Sequence, residues 1–154
     1  MPPRPTQLDL LDWTPPVSVA RFEDRKVRAV SLYARLCRAM AASLHDAALK
    51  GKKRPAIAAC MSAYLGEAVS VNMLDAYVSE ARTDHTISLP RFVALIHATG
   101  DQRLLQLLAE LFGWAVVPGS MVHLIEAAAI REQEDVLKRR RQELVSRAKR
   151  EGAL

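Results

Sequence analysis

From Asp24 to Gly113 apolar residues recur at spacings of three and four, and each run is closed by a glycine or a polar turn. That period is the stripe of an amphipathic helix, whereas a strand alternates its faces every second residue. Val27, Val30, Ala34, Cys37, Met40, Ala41, Leu44 and Ala48 predict a first helix over 24–49, ended by the loop Lys50-Gly51-Lys52-Lys53-Arg54. Pro55 suits the first turn of a second helix, where the missing N–H leaves no bond unmade. That helix packs Ile57, Met61 and Leu65 and stops at Gly66. Ser70 is a good N-cap for a third, with Val71, Leu74, Tyr77 and Val78 inward and an end near Arg82. Ser88 and Pro90 open a fourth, which carries Phe92, Val93 and Ile96 to Gly100. Asp101 caps a fifth, with Leu104, Leu105, Leu108, Leu111 and Phe112 up to Gly113. Only 6 glycines and 5% aromatic residues occur in the 154, so the apolar bulk is Ala, Leu, Val and Ile, a mix that suits helix over sheet. The expected fold class is all-α, with a five-helix core.

The two ends read differently. Pro2, Pro3, Pro5, Pro15 and Pro16 fix φ and remove donors, which makes 1–22 a flexible Pro-rich arm. Leu8, Leu10, Leu11 and Trp13 form a short apolar cluster within it, suited to docking on its own domain or on a partner subunit. Trp114 to Gly119 reads as an extended connector broken by Pro118, and it separates a helical domain over 23–116 from a charged helix within 117–154. In that last helix, from Ser120 to about Arg150, Ile130, Leu137 and Leu144 lie seven apart, but Gln133, Glu134, Arg140 and Arg141 make a poor heptad seam. A solvated helix, a weak dimeric coiled coil and a nucleic-acid-binding tail all fit this pattern.

The net charge of +5 is unevenly spread. Residues 24–54 hold nine bases and two acids, a net of +7, while residues 55–87 hold Arg82 against Glu67, Asp75, Glu80 and Asp84, a net of −3. A second basic cluster runs from Lys138 to Arg141. No apolar run approaches the ~18 residues a membrane span needs, and none has the form of a signal peptide, so a cytoplasmic protein without a membrane partner is expected.

Enzymatic chemistry finds no footing. There is no glycine-rich phosphate loop, no Gly-x-Ser-x-Gly elbow and no His-Glu-x-x-His helix. His45, His85, His97 and His123 are isolated, and Cys37 and Cys60 lie in helical segments without metal-ligand spacing. No catalytic residue, metal, cofactor or small-molecule substrate is therefore expected.

Two short helices joined at Gly66 have the layout of a DNA-binding helix-turn-helix. Ala58, Ala59, Ser62 and Ala63 supply small contacts, and Leu74 and Val78 face inward. Toward solvent this leaves Ser70, Asn72, Met73, Asp75, Ala76, Ser79 and Arg82. Asn72 suits bidentate reading of adenine, Ser79 and Arg82 suit base edges or phosphates, and Met73 and Ala76 suit thymine methyls. Asp75 and Glu80 would oppose the phosphate field, so Lys50, Lys52, Lys53 and Arg54, with Arg25, Lys26, Arg28, Arg35 and Arg38 of the first helix, are expected to grip the backbone.

Residues 54–113 resemble the helix-turn-helix core of phage and prophage regulators of the lambda CII type, within the lambda-repressor-like class. The likeness rests on Ala58-Ala59-Cys60-Met61-Ser62-Ala63-Tyr64-Leu65-Gly66, on Val69-Ser70-Val71-Asn72-Met73-Leu74, and on Ile87 through Asp101 with Arg103-Leu104-Leu105. The Thr99-Gly100-Asp101 ending and the Leu pair are its more specific part. The resemblance implies a homodimeric or higher oligomeric, sequence-specific regulator of transcription that binds double-stranded DNA. The base contacts would be Ser70, Asn72, Met73, Ala76, Ser79 and Arg82, and the phosphate contacts Lys50, Lys52, Lys53, Arg54, Arg35 and Arg38. The competing expectation is a non-enzymatic interaction module whose acidic second half docks a basic partner.

Overall fold

The computed structural model describes residues 19–152, and the Leu8–Trp13 cluster lies outside them. Seven helices are described: α1 (Asp24–Val27), α2 (Leu32–Leu49), α3 (Arg54–Leu65), α4 (Val71–Tyr77), α5 (Leu89–Thr99), α6 (Arg103–Glu110) and α7 (Gly119–Arg150). Among the described residues there is no strand, so the chain is all-α. It divides into two compact units, one through Val116 and one from Val117.

The expected helix over 24–49 is broken. Arg28 turns extended (φ −62°, ψ 122°), and the chain resumes as helix only after Ser31, whose hydroxyl accepts from Ala34 N at 3.1 Å. A serine that can cap competes with its own helix interior, and here the cap wins. Val30, expected on the inner stripe, is fully exposed as a result. Among the described residues the first unit thus has six helices rather than five. Arg38 Nη1 donates to the Arg28 carbonyl, satisfying an acceptor that the break leaves open. Phe22, assigned by sequence to the arm, is buried in the core, and the Arg103 guanidinium lies 4.4 Å above its ring.

The core is built on α3 packed against α5, with Ile57, Met61, Leu95 and Ala98 buried. From α2 come Cys37, Met40 and Leu44, from α4 Leu74 and Tyr77, and from α6 Leu104 and Leu107. Gly66 and Gly100 end α3 and α5 in the left-handed region (φ +69° and +70°), where a Cβ would be strained. Asp101 Oδ1 accepts from Arg103 N at 3.1 Å and so caps α6. Leu105, Leu111 and Phe112, expected inward on that helix, are exposed. Between them Gln106 is buried along with Leu107, and its Oε1 accepts from Val116 N at 2.7 Å while its Nε2 donates to Glu110 at 3.0 Å.

The second unit is α7, 32 residues without one buried side chain. Among its described residues, Arg140 pairs with Glu143 and Arg147 with Glu151, and His123 Nδ1 lies 3.3 Å from a Glu126 oxygen.

Candidate nucleic-acid interface

The connection between α3 and α4 is fixed by one hydroxyl. Ser62 Oγ donates to the Ala58 carbonyl at 2.8 Å and accepts from Val69 N at 2.8 Å, so the last turn of α3 holds the chain four residues beyond its end. Val69 is buried beneath it. Gly66 reverses the chain, and the Ser70 hydroxyl accepts from Met73 N at 3.2 Å to start α4. Of the small residues expected at the helix contact, Ala58 is buried and Ser62 half-buried, while Ala59 and Ala63 face solvent.

α4 stops at Tyr77, five residues short of the expected end at Arg82. The reason lies in α2, where Tyr33 donates its hydroxyl to the Arg82 carbonyl at 2.7 Å and sits 3.3 Å from that of Ser79. Residues 79–82 are thereby drawn into turns instead of helix. Asn72, Asp75, Ser79 and Arg82 line one shallow depression on the outer side. Asn72 and Arg82 are exposed, and Ser79 is half-buried.

Other expected base contacts fall elsewhere. Ala76 is buried at 3% exposure, because it lies on the side of α4 where Met73 and Tyr77 also pack, so its small side chain meets the core instead of a thymine methyl. Met73 is half-buried and packed on the core. Ser70 is exposed, but its hydroxyl is engaged as the cap.

The acids of this face are paired. Arg54 Nη1 bonds Asp75 Oδ1, bringing the N-terminus of α3 to the outer side of α4. Arg38 of α2 donates to Glu80 from Nε at 2.7 Å and from Nη2 at 3.3 Å. The Glu80 carboxyl is held below the usual carboxylate range by that hydrogen bond, and the Arg38 guanidinium is pushed up by the same contact. Lys50 and Lys53 are exposed beside α3. Lys52 instead donates to the Ala98 carbonyl of α5 at 3.3 Å, and Arg35 lies 3.8 Å from Glu110 of α6. Both therefore reach away from the α4 surface.

Tyr33, Glu80 as a partner of Arg38, and Gln106 were not singled out by sequence. Each works through a partner far along the chain or hidden from periodicity, and no local signal could have found it. Among the described residues no group of three or more His, Cys, Asp or Glu could hold a metal ion, and no helix is long and apolar enough to cross a membrane. Cys37 and Cys60 are free thiols. No family model matches the chain, and no curated protein or solved structure matches it.

Proposed function

We propose that this protein is a sequence-specific double-stranded DNA-binding regulator of transcription, of phage or prophage type, working in the cytoplasm on a lambda-repressor-like core. α4 enters the major groove. The observation that carries this reading is the pairing of Arg54 with Asp75 and of Arg38 with Glu80. Those pairs neutralise the two carboxylates that would repel phosphate, and they put arginines of the +7 segment on the same side as the outer residues of α4. Phosphate attraction supplies much of the affinity of such proteins, so this shared side matters more than the net charge of the motif.

In this reading Asn72 and Arg82 are the base readers, with Ser79 at the edge of the depression. Lys50, Lys53 and Arg54 flank them on phosphates, while Arg38 is held by Glu80. The test is a titration of duplex DNA, selected from a random pool, at several salt concentrations. Affinity should fall steeply with salt. Asn72→Ala should relax sequence preference, whereas Lys50→Glu with Lys53→Glu should weaken binding to all sequences alike. Binding that ignores salt, or no binding, would leave the interaction module with a basic partner as the better account.

A further inference from the structure

We infer that α7 is an antiparallel pairing surface for a second copy of this chain, in a register centred between Val136 and Leu137. The inference is independent of DNA binding by the first unit. Two observations on α7 start it. None of its 32 side chains is buried, yet Val122, Ile125, Ile130, Val136, Leu137 and Leu144 are all at least 41% exposed. A helix of about 48 Å with that much bare aliphatic surface lacks the partner face that stabilises most helices.

The second observation is the order of its charges, and it says what covers the face. Residues 119–135 carry one base and four acids, a net of −3, and residues 136–150 carry seven bases and one acid, a net of +6. The helix's own dipole favours Arg147, Lys149 and Arg150 in the last turn, but it does not account for Glu132, Glu134 and Asp135 or for the Lys138–Arg141 run, because dipole effects fade beyond the terminal turn. Glu132, Glu134 and Asp135 make no ion pair among the described residues. A parallel partner would set acids on acids and the Lys138–Arg141 run on itself, and like charges across such a seam destabilise it.

Turning the second copy end for end removes the conflict. With the two-fold axis between Val136 and Leu137, Glu126 lies level with Arg147 of the partner subunit. Glu132 and Arg139 are seven apart, hence on one flank of the helix, as are Glu134 and Arg141 on the other. Because an antiparallel two-fold brings like flanks together, Glu132 meets Arg139 of the partner subunit and Glu134 meets Arg141 of the partner subunit, each within about 3 Å along the axis. In the seam, Val136 faces Leu137 of the partner subunit and Ala129 faces Leu144 of the partner subunit. Gln133 and Arg140, which spoil a parallel heptad, then share one polar layer.

The experiment uses the full chain. Sedimentation equilibrium across the micromolar range should show a dimer, and Leu137→Asp should weaken it by at least about tenfold. Orientation is read from disulfides: Val122→Cys and Glu151→Cys variants, mixed and oxidised, should yield the mixed 122–151 cross-link by peptide mass spectrometry. These positions are about 44 Å apart along one helix, so a parallel pair would give only like-with-like links. A monomer throughout, a dimer indifferent to Leu137→Asp, or like-with-like links alone would each overturn the inference. Circular dichroism of each variant separates lost pairing from lost folding.

Discussion

Arg38 clasps Glu80 with two hydrogen bonds across 42 residues of sequence, joining the middle of α2 to the segment after α4. Both side chains are nearly half exposed, so the clasp contributes little stability of its own. Its weight is electrostatic, since it takes one arginine out of reach of a phosphate. Glu80→Gln should release that arginine. If α4 faces DNA, the variant binds duplex more tightly, and the slope of log affinity against log salt steepens by about 0.9, the signature of one added phosphate contact. Fluorescence anisotropy at four or five salt concentrations reads both. An unchanged slope would place the DNA surface elsewhere or nowhere.

Ser62→Ala tests how far the turn between α3 and α4 depends on a single hydroxyl. The substitution keeps helix propensity but strips Val69 N of its acceptor beneath a half-buried surface. An unmet buried donor costs about 1–3 kcal/mol, and urea unfolding should show a loss in that range. Because the bond sets where α4 begins, DNA affinity should fall further than stability does. Equal losses in both would mean that the turn serves folding alone.

Much of the helix inventory was legible in the sequence because its punctuation is local. Gly66, Gly100, Ser70 and Pro55 act within four residues of themselves, and periodicity marks an apolar face without reference to the rest of the fold. What could not be read was decided at long range. At Arg28–Ser31 the sequence offers both a Ser31 cap and an unbroken apolar stripe, and the cap wins with Phe22 buried from the chain before α1 and Val30 left outside. Ala76 looked outward because Met73, on its side of α4, was read as exposed although it packs on the core, and residues 79–82 are held in turns by Tyr33, more than 40 residues away. The candidate interface was legible in its residue types. Its ion pairs were not, because charge counts by segment cannot show that an acid of one segment meets a base of another.

Acid should unfold the first unit partly through Asp101. Burial alone would raise its pKa, but the Arg103 guanidinium, with the Arg103 backbone N–H, outweighs burial and holds the carboxyl below the usual range. Arg103 reaches Asp101 from two nitrogens at 2.8 and 2.7 Å and Asp46 at 2.8 Å, and the Asp101 side chain is only 11% exposed. A carboxyl whose folded pKa is depressed contributes stability above its unfolded pKa, near 4. That contribution shrinks as pH falls through the folded value. Asp101→Asn should therefore lower stability at pH 7 by about 1.5–3 kcal/mol, the worth of a hydrogen bond to a charged group. The gap to the parent protein should close below pH 4. Urea titrations at pH 7 and pH 3 check the sign, and a gap that widens in acid would show that Asp101 is not the group responsible.

Gln106 closes the first unit, and its replacement separates packing from hydrogen bonding. The side chain is 1% exposed, accepts from Val116 N and donates to Glu110, so it ties the end of the connector to the middle of α6. Glu110 in turn holds Arg21 at 3.0 Å, which extends the same network to the chain just before α1. Gln106→Leu preserves much of the volume and removes both bonds, whereas Gln106→Glu keeps an acceptor for Val116 N but sets a second carboxylate beside Glu110. Leucine should cost about 1–3 kcal/mol for the donor left unmet, with faster amide exchange at Val116. Glutamate should cost more at pH 7 than at pH 4, because protonation there relieves the repulsion between the two carboxyls. If leucine is tolerated without loss and Val116 exchange is unchanged, the connector is held by its apolar contacts, and Gln106 serves only to fill its site.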